Sequence, residues 1–296
     1  MKKQLLRLPL QFILTCLGLF LFSGAGSLLM YDHELVIHIA KYIHTLQLIG
    51  KDLLDPGSIF VQVEADGKEY PIFPMMLKLF GYSFLLLVTS FFIAVVSAAV
   101  LSYLAMLLPR RAHRFFLRIL ELLDSLPDVL VVVFLQLFII FLFKKTGILF
   151  FDIYALGEER IYMLPIFCLA VMPVAFLVKN FLFQLREEGD KPYVEFSFSK
   201  GFSKAYTLWV HLFRNVWVSF YYHIKPIFLL MLSNLLIIEI LFNINGFMVA
   251  MLSTAVSKPS AFFIGMLMVY IPFFLLFSLG QLLLTKYTGI HEEAEA

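Results

Sequence analysis

Six apolar runs, near residues 9–30, 79–108, 126–148, 161–184, 225–245 and 260–284, constrain this chain more than any other feature. Each reaches the roughly 20 residues that an α-helix needs to cross a hydrocarbon layer of about 30 Å. No water is present there to pair a free N–H or C=O, so each run must be a helix that satisfies its own backbone. Pro127, Pro165, Pro173, Pro226 and Pro272 interrupt the last four runs, and such breaks survive where neighbouring helices re-pair the freed groups. Composition agrees: 15% of residues are charged, against about 25% in a soluble domain. The expected fold class is an all-α polytopic membrane protein of about six transmembrane helices. No repeat, low-complexity tract or linker divides residues 1–296, which read as a single transmembrane domain.

The first run needs a decision. Lys2, Lys3 and Arg7, the apolar stretch Leu10–Phe22 and the small residues Ser23–Ser27 resemble a secretion signal. Ile13-Leu-Thr-Cys16 makes a poor lipid-attachment box, and the apolar run continues to Met30, so a first membrane span is expected. Cys16 and Cys168 both lie in apolar runs, which leaves no disulfide framework or zinc site. The net charge of +2 gives no reason to expect nucleic acid as a partner.

Charge orients the spans. Lys2, Lys3 and Arg7 precede the first, Arg110, Arg111, Arg114 and Arg118 lie between the second and third, and Lys179, Arg186, Lys191, Lys200, Lys204 and Arg214 surround the link between the fourth and fifth. The segment after the first span instead carries Asp32, Glu34, Asp52, Asp55, Glu64, Asp66 and Glu69. The positive-inside rule therefore places both termini in the cytoplasm and residues 31–75 outside; Lys144, Lys145 and Arg160 dissent mildly. In that outer insertion Leu35, Ile39, Tyr42, Ile43, Leu46 and Ile49 recur at helical spacing, predicting an amphipathic helix over 34–54 on the membrane surface. Ile59–Val63 alternates, Asp66-Gly67 is a turn signal and Tyr70-Pro-Ile72 can return as an edge strand, so a hairpin should follow. His33, His38 and His44 are five and six residues apart, which is wrong for a shared helical metal site; only Glu34 and His38 have the spacing, and no metal is expected.

Catalytic motifs are absent. There is no Gly-x-x-x-x-Gly-Lys-Ser/Thr phosphate loop, no Gly-x-Ser-x-Gly and no His-Glu-x-x-His. Ionisable residues within the spans are then the functional candidates, because burying one in hydrocarbon is costly. Asp124 and Asp128 flank Pro127, where helix capping is the plain role. Glu239, with Asn234 earlier in the same run, lies deep in the fifth span. Glu239, Asn234 and Asp128 are the candidate translocation-pathway residues.

The longest polar interruption in the second half runs from Lys191 to Ser203. Gly189 can end one helix in a left-handed turn, Asp190 can cap the next and Pro192 suits its first turn. Gly201 can end that short helix and Ser203 can cap another. Glu195 and Lys200 have the right signs for the ends of its dipole. His211, Arg214 and Asn215 share a helical face that could brace it.

These residues carry a resemblance. Glu195-Phe-Ser…Gly201 is similar to the Glu-Ala-Ala-x-x-x-Gly signature of permease subunits of ATP-binding-cassette importers. Tyr193-Val194, Ser199-Lys-Gly-Phe-Ser203, His211-Leu-Phe-Arg214-Asn215 and Glu239-Ile-Leu-Phe242-Asn-Ile-Asn-Gly246 resemble the dipeptide, oligopeptide and nickel branch in particular. Phe196 and Ser197 replace both alanines of the signature, and the branch's usual Asp-Pro-Arg ending is absent, which marks a divergent member.

The resemblance implies a non-enzymatic permease of the bacterial inner membrane that moves a peptide-like solute or metal chelate by alternating access. It implies that the chain binds no cofactor, with ATP and Mg on separate ATPase subunits. It further implies a second, related permease in a heterodimer and an extracytoplasmic binding protein. Tyr193, Glu195, Phe196, Ser197, Phe198, Lys200, Gly201, Phe202 and Ser203, within segment 189–204, would then meet the ATPase, with His211, Arg214 and Asn215 bracing them. Two other classes stay open: an ion-coupled transporter using Glu239 and Asp128, and a permease-derived signalling or assembly protein.

The topology has a direct check. In a background lacking Cys16 and Cys168, a cysteine replacing Asp66 should react with a membrane-impermeant maleimide in intact cells; protection until lysis would reverse the orientation.

Overall fold

The computed structural model describes residues 2–32, 34–62, 69–157 and 159–288. Among these, six helices are long and apolar enough to span a bilayer: Leu8–Ser27, Ile72–Leu107, Asp128–Thr146, Met163–Gly189, His223–Leu241 and Pro259–Leu282. The all-α fold class and the six spans are as the apolar runs require. The chain forms two compact units, Met1–Gly81 with Gly246–Ala296, and Tyr82–Asn245.

In the first unit, α1 (Lys2–Ser23) is followed by a hairpin of β1 (Leu29–Asp32) and β2 (Glu34–Ile37), antiparallel with Met30 opposite Val36. The helix expected over 34–54 is therefore shorter. As α2 it runs from Ile39 to Asp52, because residues up to Ile37 are already paired in the ladder. Its apolar face also meets protein rather than only a membrane surface. Ile49 is buried with Phe263 and Met266, Tyr42 donates a hydrogen bond to the Leu21 carbonyl at 2.9 Å, and Ser260 donates to Asp52 at 2.5 Å. Ile39 and Ile43 on that helix stay exposed.

The second hairpin forms as predicted in its strands: β3 (Phe60–Gln62) pairs antiparallel with β4 (Glu69–Pro71). Its Asp66-Gly67 turn lies outside the described residues, as does His33. Among the described residues no cluster of His, Cys, Asp or Glu could hold a metal. Ile59 and Val61 carry the hairpin into a core with Ile72, Met76, Phe247, Ala261 and Ile264. These residues come from α3 (Ile72–Leu107), α10 (Phe247–Ser257) and α11 (Pro259–Thr288).

The second unit holds most of α3, then α4 (Arg110–Asp124), α5 (Asp128–Thr146), α6 (Met163–Gly189), α7 (Pro192–Ser199), α8 (Lys204–Tyr206), a π-helical turn Thr207–Leu212 and α9 (Phe213–Leu241). Helix α6 is its post, the most deeply buried of the described spans. Leu177, Val178, Phe181, Leu182 and Leu185 pack its buried face.

Helix α9 stops at Leu241, earlier than the apolar run suggests. Asn243 adopts a left-handed φ of 52°. The Ile244 N–H then reaches the Glu239 carbonyl at 2.8 Å and the Asn243 N–H reaches Ile240 at 3.2 Å, the paired bonds of a helix stop in which Asn takes the usual glycine position. Asn243 also donates to the Ala155 carbonyl, and the Ala155 N–H donates to Phe242. The irregular segment 147–157 is thereby stitched to the end of α9.

Phe247 tests the core of the first unit. It is 1% exposed and meets Phe80 edge-on at 5.2 Å. Phe247→Ala should cost about 3–5 kcal/mol and lower the thermal unfolding midpoint in detergent. Phe183→Ala, at a position 60% exposed, should leave that midpoint almost unchanged.

Candidate coupling site

The polar stretch 191–203 folds into a short helix fixed at both ends, though its entry differs from expectation. Helix α6 continues through Gly189, whose backbone is not left-handed, and Asp190 is the residue that closes it, at φ −85°. The residue preceding α7 is Lys191, extended at ψ 145°, so Asp190 is not its cap. Pro192 takes the first helical position, where its missing N–H costs nothing and its fixed φ suits the turn. Glu195 falls in the first turn, favourable to the helix dipole.

The exit is as predicted and better defined. Gly201 sits at φ +81°. Its N–H donates to Phe198 at 2.9 Å and the Phe202 N–H donates to Ser197 at 3.3 Å, the two bonds that satisfy the last carbonyls in a Schellman stop. A Cβ at Gly201 would meet nothing within 4 Å, so conformation alone demands the glycine. Ser203 then caps the next helix by accepting from the Tyr206 N–H at 3.3 Å.

The helix has two faces. Val194 and Ser197 are buried. Ser197 shares a hydrogen bond of 2.8 Å with Thr207 at the start of the π-turn. Glu195, Phe196, Phe198, Ser199 and Lys200 are exposed, as are Gly201, Phe202 and Ser203 beyond the helix. The two replaced signature positions therefore have different roles: Phe196 faces outward, whereas Ser197 is an inner contact. The Lys200 ammonium lies over the Phe196 ring at 4.4 Å, and Phe202 stacks on Tyr206 at 4.8 Å.

What holds the helix from behind is a residue the sequence did not single out. Glu188, buried near the end of α6, accepts from Lys191 at 2.5 Å, from the Tyr193 hydroxyl at 2.7 Å and from Asn215 at 2.8 Å. Asn215 also donates to the Tyr193 oxygen at 3.2 Å. Burial, together with the bond to Glu188, pushes the Tyr193 phenol up to about 12, which keeps it a donor. Charge-assisted bonds of this kind are about twice as strong as neutral ones. The only sequence signal was a carboxylate three residues before Lys191; the Asn215 contact crosses 27 residues and has no local signature.

The expected bracing face divides. Asn215 braces through Glu188 and Tyr193, while His211 meets the rings of Phe202 and Tyr206 at 6.2 and 5.9 Å. Arg214 is exposed and joins neither contact. The pathway candidates divide as well. Asp128 accepts a short hydrogen bond from Asn234, and Glu239, fully buried, accepts from Ser83 at 2.5 Å. Asp128 of α5 and Glu239 of α9 are thus each bonded to a residue of another helix. Capping is not the role of the aspartates flanking Pro127 either. Pro127 precedes α5 without a side-chain cap, and Asp124 pairs with Lys179 at 2.5 Å.

An all-α multi-pass membrane protein that displays a short pinned helix between two spans is the class defined by this architecture. The family model for binding-protein-dependent transport system inner membrane components matches residues 90–288, from within α3 to the last residue of α11. The chain belongs to that family and is a permease subunit of an ATP-binding-cassette importer in the inner membrane. No curated protein matches its sequence.

Removing the Glu188 acceptor should loosen α7 without unfolding the spans. A hydrogen bond to a charged group contributes about 1.5–3 kcal/mol. Glu188→Ala should therefore raise amide exchange over residues 192–199 by roughly tenfold or more, with exchange in α6 above Leu185 unchanged.

Proposed function

We propose that α7 is the coupling helix of this permease, gripped from the cytoplasm by a separate ATPase subunit whose closure it transmits to α6 and α9. The observation that carries the reading is its mounting: proline at one end, a Schellman stop at the other and the Glu188 carboxylate behind. A helix so held passes on displacement instead of bending. Its outward face is chemically suited to a protein groove. Phe196 and Phe198 are 60% and 47% exposed and offer aromatic anchors, and Glu195 offers a charge to a basic partner residue.

On this reading both termini are cytoplasmic, ATP and Mg are bound by the partner subunits, and a second permease completes a heterodimer. An extracytoplasmic binding protein delivers the solute. The resemblance of Tyr193-Val194 and His211…Asn215 to the dipeptide, oligopeptide and nickel branch supports a peptide-like solute or a metal chelate.

The test is capture of the motor. A tagged chain should co-purify with a Walker-type ATPase from the native membrane. Glu195→Lys and Gly201→Pro should each abolish that association and the uptake it drives, while the chain still inserts in the membrane. Pro at 201 cannot reach φ +81° and lacks the N–H that meets Phe198. Undiminished association and uptake in both variants would remove α7 from the coupling role.

A further inference from the structure

We infer that α4 is an interfacial binding site for anionic phospholipid, with its arginines on the head-group phosphates and its neighbouring apolar arc in the acyl layer. The helix joins the span ending at Leu107 to the span starting at Asp128, so both its ends are tied to membrane helices. Its 15 residues extend about 22 Å, too short to cross.

Its rotation is fixed by contacts on one side. Leu120 is buried, Asp124 pairs with Lys179 of α6 at 2.5 Å, and His113 is held between two partners. The His113 Nδ1 lies 2.7 Å from the Ala105 carbonyl and its Nε2 lies 2.6 Å from an Arg186 nitrogen. A carbonyl can only accept and a guanidinium can only donate, so Nδ1 carries the imidazole hydrogen.

With that side anchored, two adjacent arcs face away from the protein. Arg111, Arg114 and Arg118 recur at i, i+3 and i+7 and are exposed, as is Arg110. Among the described residues none of these four makes an ion pair, and on their arc they outnumber the one acid, Glu121. Phe115, Ile119 and Leu122, at i, i+4 and i+7, are 65%, 43% and 63% exposed. A cationic arc beside an apolar arc on a helix tethered at the bilayer surface matches the layered chemistry of an anionic leaflet. A nucleic acid would satisfy the arginines but leave Phe115 and Leu122 in water. The inference rests on the membrane spans and on the α4 side chains, not on the coupling role of α7, so loss of uptake in α7 variants leaves it untouched.

The experiment uses the full chain in detergent, with native mass spectrometry in the presence of phosphatidylglycerol or phosphatidylcholine. The chain should retain phosphatidylglycerol preferentially. Arg111→Gln, Arg114→Gln and Arg118→Gln combined should weaken that retention by about tenfold or more, with unchanged thermal stability. Soluble glycerol phosphate at equal concentration should not displace the lipid. A second arm places an environment-sensitive fluorophore on Phe115→Cys, in a background lacking Cys16 and Cys168, in vesicles of both lipids. Shallow spin-labelled phospholipid should quench it. Equal retention of the two lipids, full retention by the triple variant, displacement by glycerol phosphate, quenching by aqueous iodide alone, or cross-linking of the position to another chain would each overturn the inference.

Discussion

The mounting of α7 depends on one buried carboxylate. Glu188 gathers three donors from three chain segments, Lys191 from the link, Tyr193 from α7 and Asn215 from α9. Removing water from a charged group is expensive, and only such a full set of partners offsets it. Those donors tie α7 to α6 and α9, which stiffens its mounting. The neighbouring Ser197–Thr207 bond and the Lys204 bond to the Met106 carbonyl at 2.6 Å extend the same framework to the π-turn and to α3.

That rigidity contrasts with the opposite end of the unit. There residues 147–157 and 159–162 have little regular structure, and they are held by backbone pairing with Phe242 and by Asn243 and Asn245 side chains on Ala155 and Gly157. Neutral bonds of this kind are individually modest.

The pairs inside the spans belong to the same economy of buried polar groups. Ser83 with Glu239 and Asn234 with Asp128 each join two helices through hydrocarbon.

The sequence by itself determined the six spans, the strands of the second hairpin, the Gly201 stop and the Ser203 cap. Each follows from a local rule: hydrocarbon thickness, two-residue alternation, a backbone conformation that glycine tolerates, a hydroxyl that meets a free N–H. The tertiary structure alone decided which distant groups meet. It ended α9 at Leu241 through the Asn243 stop, paired residues 34–37 with 29–32 where a helix was expected over 34–54, gave Ser197 to the core and Phe196 to the surface, and revealed Glu188. Those outcomes turn on contacts between segments far apart in the chain, and local spacing carries no record of the groups that will meet when helices pack.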